Sequence, residues 1–279
     1  MGTKKKLFAK HTLADAGLTP KQDKPPFMPV EITASVGSIG LLLGRTVSQL
    51  VTAKVDRGES WRMAHRFTNE SVTFVVVSMS FVGMIMVYQS TEQLARAVGD
   101  TQLVGASFLK LLVRVLGPTV IGLLIACRVG AGIAAEIGAM AVTDQLDAMR
   151  MCAADPVETL MVPRLRGGIL ASLVLVVIGS AAAMLAGMLT GLILFGTSPD
   201  TYWNLGLIEN SDVAQGLAKA LVYGIAVPIV SGAVGLAARG GARGVGQATT
   251  AAVVGSSFAI VVLDSVISLI AHVLSGSSA

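Results

Sequence analysis

Arg114, Glu136, Lys219 and Asp264 each interrupt an apolar stretch long enough to cross a bilayer. A charge at the bilayer centre costs about 2.5–3.5 kcal/mol even on the lenient insertion scale, so such side chains face a bundle interior or a cavity. There they can hold the polar part of an otherwise apolar molecule, or pair with one another. Lys219 and Asp264 have opposite signs, and with Arg114 they fall in the membrane half remote from the N-terminus. Pairing would lower their burial cost, and an ion pair that merely ties helices together is the equal alternative. Arg128 and Glu136 lie two helical turns apart toward the other side and read as structural.

Enzymatic chemistry finds little support. His11, His65 and His272 are isolated, and no spacing of His, Cys, Asp or Glu suits a metal. No Ser/His/Asp or Cys/His set can be placed on one side of the membrane. The phosphate-cradling pattern G-x-x-x-x-G-K-[ST] is absent, and the glycine-rich basic loop 235–246 lacks its lysine–serine ending. The two cysteines, Cys127 in an apolar run and Cys152 in a polar one, suggest no disulfide. No catalytic residue, metal, cofactor or nucleic-acid partner is expected.

The elements that position these charges are helices in a membrane. The 279-residue chain is 53% hydrophobic and only 14% charged, against about 25% charged in soluble domains. Its 31 glycines suit closely packed membrane helices. Residues 1–29 are basic and end in a proline-rich stretch, a flexible tail. No signal peptide is evident, because Lys4, Lys5 and Lys6 precede polar sequence. Residues 31–53 carry apolar side chains at helical spacing around Arg45, the pattern of a helix lying in the interface. The expected architecture is all-α and integral to the membrane. It comprises that interfacial helix and five spans near 67–90, 103–140, 165–195, 213–238 and 247–274. At 1.5 Å per residue the second stretch is roughly 60 Å long, twice the hydrocarbon core, so it must project or break. Gly117–Pro118 is the expected kink. In the third, Gly187 and Gly191 form a small-xxx-small pair suited to tight packing.

Lysine and arginine set the orientation. Of 21, eleven lie in residues 1–66, four in 128–166 and two in 239–243, whereas the opposite loops hold only Arg96 and Lys110. The N-terminus is expected on the cytoplasmic side and, with five spans, the C-terminus on the far side.

The cytoplasmic segment 141–156 is the most specific. Thr143 is expected to cap a short helix with Asp144 at its positive end, and Asp155–Pro156 to end it. Val142, Leu146, Met149 and Cys152 fall on one apolar face. Such a stripe suits a partner's groove, or packs on its own chain.

The runs Arg114-Val-Leu-Gly-Pro118, Arg128-Val-Gly-Ala-Gly-Ile-Ala-Ala-Glu-Ile-Gly-Ala-Met140, Thr143-Asp-Gln-Leu-Asp-Ala-Met149, Asp155-Pro156 and Pro163-Arg164 resemble the MlaE/YrbE permeases. These are membrane subunits of MCE-associated ABC transporters. The likeness extends to Phe81-Val-Gly-Met84, Gln89, Lys219, Ala248-Thr-Thr250 and Leu263-Asp264, and covers residues 31–274.

The resemblance implies a permease domain over 30–279 that works as a homodimer in a bacterial inner membrane. It implies cytoplasmic ABC ATPase subunits that contact a coupling helix at about 141–151, through Val142, Asp144, Gln145, Leu146, Asp147 and Met149. It also implies a periplasmic MCE-domain protein, and phospholipid in a cavity. The cavity candidates are Phe81, Met84, Val87, Tyr88 and Gln89 on the first span, with Arg114, Lys219 and Asp264. One departure stands out: Val115 occupies a position where the family often has glutamate beside the arginine. Two other readings remain at this level, a stand-alone secondary transporter or channel, and a non-transporting anchor for an MCE complex.

Overall fold

The computed structural model describes residues 57–97, 103–153, 155–198, 202 and 209–276. The expected tail and interfacial helix lie outside them. Among the described residues the chain is helical, without strands, and five helices are long and apolar enough to cross a membrane. The first is α1 (Arg57–Ala97). The second is composite: α2 (Leu103–Leu111), α3 (Gly117–Ile125) and α4 (Ala131–Val142) are joined by π-helical turns at Leu112–Leu116 and Ala126–Gly130. A short helix, α5 (Gln145–Met151), leads to a π turn at Val157–Met161 and the third span, α6 (Val162–Phe195). The fourth and fifth are α7 (Asn210–Leu236) and α8 (Gly241–Gly276).

The five expected spans are all present, with longer helices than hydropathy delimits. The second span stays helical through Gly117–Pro118. Its irregularity is the wide turn just before them, where the Gly117 N–H donates to the Leu112 carbonyl. Pro118 has no N–H to give, and at the first turn of α3 none is needed.

The most extensive packing runs between α1 and α6. Glycine makes it possible. A Cβ on Gly83 would collide with the backbone carbonyl of Ala183, and one on Gly187 would meet Val87 Cγ2 at 2.7 Å. Gly187 thus packs on α1, whereas Gly191 makes room for the Tyr202 ring. Tyr202 is buried, and burial raises its phenol pKa.

Gly83→Ala should therefore destabilise the protein by about 1–3 kcal/mol, because the obstacle is main chain and cannot rotate away. Gly132→Ala, with nothing within 4 Å of the added methyl, should be neutral or stabilising by up to about 1 kcal/mol. Detergent-titrated unfolding of both variants checks the contrast. Equal midpoints would refute the close approach.

Candidate functional site

One face of α7 carries Asp212, Gly216, Lys219 and Tyr223, at i, i+4, i+7 and i+11, all buried. It connects two charged clusters. In the deeper one, Lys219 Nζ lies 2.7 Å from Asp264 Oδ1 on α8, and the lysine side chain is fully enclosed. The same oxygen accepts the Tyr223 hydroxyl at 2.7 Å. Thr119 Oγ1, on α3, stands 2.8 Å from it and 2.7 Å from the Val115 carbonyl. Three helices thus converge on one carboxylate oxygen. An enclosed ammonium with this partner has its charge satisfied inside the chain.

The outer cluster forms where α7 begins. Glu209 and Asp212 make a reciprocal capping box, with the Glu209 N–H donating to Asp212 Oδ2 at 3.2 Å. Asp212 also faces two cations of the second span, Lys110 Nζ at 3.5 Å and Arg114 Nη1 at 3.5 Å. Gly216 permits this approach, since a Cβ there would sit 2.5 Å from the Val113 carbonyl. Arg114 therefore has an acid after all. It comes from α7 rather than from position 115, where the valine is partly buried.

A third cluster lies toward the opposite end. Glu136 on α4 bridges Arg66 of α1 at 2.5 Å and Arg164 of α6 at 3.1 Å. Arg164 is buried and donates to the Leu160 carbonyl at 2.9 Å. Glu136 thus pairs across helices and not with Arg128, which is exposed.

The first-span candidates divide between faces. Phe81 and Tyr88 lie on an exposed apolar face with Phe74, Val77 and Ile85, and Gln89 is exposed beside them. Met84 is partly buried, and Val87 is fully enclosed against α6. These five residues do not share one surface.

The short helix also differs from expectation. It starts at Gln145 rather than near 141, because α4 continues to Val142 and Asp144 turns the chain with a left-handed φ of 57°. Thr143 does not cap it: its hydroxyl donates to the Ala139 carbonyl at 2.8 Å, closing α4. Asp155 opens the next helix instead of ending this one, by accepting the Val157 N–H at 2.9 Å. Leu146 is buried on its own chain, and Val142 and Met149 are partly so. Asp144, Gln145, Asp147, Ala148 and Met151 are exposed.

Sequence reasoning missed the roles of Lys110, Thr119, Asp212 and Tyr223, and named Arg164 only within a motif, without its pairing to Glu136. The spacing from Asp212 to Lys219 and Tyr223 was the available signal. No group of three or more potential metal ligands occurs among the described residues, and both cysteines are free.

The family model for "Permease MlaE" matches residues 60–270. A probable ABC transporter permease protein of Rickettsia felis is 34% identical over 235 residues, covering 84% of this chain and 90% of its own. The intermembrane phospholipid transport system permease protein MlaE of Haemophilus influenzae is 31% identical, over 75% of this chain and 81% of its own. The chloroplastic protein TRIGALACTOSYLDIACYLGLYCEROL 1 of Arabidopsis thaliana is 28% identical over 83% of this chain and 66% of its own.

Proposed function

This chain belongs to the MlaE permease family, and on that premise we propose that it is the membrane subunit of an ABC transporter that moves phospholipid. It acts as a homodimer between the cytoplasmic membrane and a periplasmic MCE-protein assembly, driven by a partner ATPase. The observation that carries this reading is the family match across all five spans, together with the phospholipid named in the Haemophilus relative.

The lysine and arginine distribution supports a cytoplasmic N-terminus and a periplasmic C-terminus. With that orientation α5 projects into the cytoplasm between the second and third spans, where an ATPase docks. Its coupling surface is the exposed face with Asp144, Gln145, Asp147 and Met151, while Leu146 anchors the helix to the permease. The mostly unburied α8, with Phe258, Val262 and Leu269 outward, offers an apolar face to lipid or to the second copy.

Reconstitution with the ATPase in proteoliposomes tests this. ATP should drive transfer of labelled phospholipid to the MCE protein. Met151→Asp, at a side chain 84% exposed, should reduce ATPase association at least severalfold without lowering permease yield. Transfer that needs no ATPase would indicate a stand-alone carrier, and an intact complex without transfer an anchor; either overturns the proposal.

A further inference from the structure

We infer that the hydroxyls of Thr91, Thr197 and Tyr202 hold one buried water molecule between them, at the end of the seam between α1 and α6. The register of that seam brings the three together. The two helices run parallel, with Val75 against Gly179, Gly83 against Ala183 and Val87 against Gly187. One turn further, the same spacing sets Thr91 beside Gly191. The end of α6 then folds back over this point. Gly196 adopts a left-handed φ of 63°, and the Thr197 N–H donates to the Gly191 carbonyl at 3.2 Å, so Thr197 returns to the turn that carries Gly191. Tyr202 arrives from the following segment, where a Cβ on Gly191 would collide with its hydroxyl oxygen.

Thr91, Tyr202 and Thr197 are 0%, 1% and 6% exposed. Each hydroxyl oxygen is enclosed and has no hydrogen-bond partner among the described residues. Other hydroxyls of the bundle are served locally: Ser80, Thr119 and Thr190 each donate to the carbonyl four residues before. A buried hydroxyl without a partner gives up its hydration and gains nothing, so such groups are rare and are met by ordered water. A buried water makes about three hydrogen bonds to groups otherwise unsatisfied. Three hydroxyls, each able to donate or accept, match one such molecule. It joins α1, the cap of α6 and the segment that follows the cap.

X-ray radiolysis of the full chain in mixed micelles, with oxidised side chains read by mass spectrometry, tests this. Radiolysis makes hydroxyl radicals from water in place, so an enclosed side chain reacts only where water is held against it. Tyr223 is the control, equally enclosed at 1% but with its hydroxyl on Asp264. Tyr202 should be oxidised at least severalfold faster than Tyr223. Thr91→Val, which keeps the shape and removes the hydroxyl, should bring Tyr202 down to the Tyr223 rate, and Thr91→Ser should leave it high. Thr197→Val gives the same reading where Thr91→Val does not fold. Equal rates for the two tyrosines in the wild-type chain overturn the site. A Tyr202 rate that stays high in the valine variant assigns the reaction to opening of the segment, and overturns it as well. Thermal unfolding supplies an independent measure. Thr91→Val and Tyr202→Phe should each lower the midpoint by about 2–4 °C. The double variant should fall no further than either alone, because the first loss already releases the water. Additive losses, or a midpoint that does not fall, overturn the shared molecule.

Discussion

Asp264→Leu should destabilise the protein by about 3–5 kcal/mol, the range for removing one partner of a buried ion pair. The loss exceeds one contact because Lys219 is fully enclosed and Asp264 is its counter-ion at 2.7 Å. The Tyr223 hydroxyl would lose its acceptor as well, and Thr119 one of its two. Adding Lys219→Met should restore most of the stability, since an apolar pair of similar volume substitutes well for buried charges. Unfolding of both variants in mixed micelles, with lipid transfer measured in parallel, separates the roles. A double variant that is stable yet inactive assigns the pair to transport, and one that is stable and active assigns it to architecture. A single variant within about 0.5 kcal/mol of wild type would mean that the ammonium reaches water, contrary to its burial.

The second large effect belongs to Glu136. Its two oxygens hold Arg66 and Arg164, so one carboxylate joins α1, α4 and α6. Glu136→Leu leaves the buried Arg164 with the Leu160 carbonyl alone. The cost should be on the order of 3 kcal/mol, the low end of the buried-pair range because Glu136 is itself 30% exposed. Arg66→Leu should cost at most about 1 kcal/mol, since Arg66 is 49% exposed. Chemical unfolding of the two variants gives the comparison. Equal losses would show that Arg164 finds another counter-ion. If α5 is the ATPase-docking helix proposed above, Glu136→Leu should also weaken the dependence of ATPase rate on permease binding, because α4 runs on toward α5.

The spans were legible because their signal is local: a run of apolar residues must be long enough to cross a bilayer whatever it packs against. The specific MlaE-like blocks were legible for the same reason. Pairing of charges was legible in part. Lys219 and Asp264 are alone in their spans and of opposite sign, so few other partners were available. Arg114 with Asp212, and Glu136 with Arg164, depend on how each helix is rotated about its axis. Hydropathy does not encode that rotation where every face is apolar. The same blindness placed Val87 and Phe81 together, although one is enclosed and the other 59% exposed. At Thr143 a local rule pointed the wrong way. A threonine before an acidic residue suits a helix start, but the left-handed turn at Asp144 put the hydroxyl beside the preceding helix's last carbonyls.

The seam between α1 and α6 also bears on time. Its halves are separated by the whole second span and α5, so α1 leaves the ribosome without the helix that fills its groove at Gly83. Roughly a hundred residues must follow the end of α1 before α6 is complete, which at about 5–20 residues per second takes about 5–20 s. Throughout that interval the groove at Gly83 lacks the α6 backbone that fills it in the finished chain. A chain truncated after α5 would be a longer-lived version of this intermediate, a substrate for membrane proteolysis with two spans and no seam.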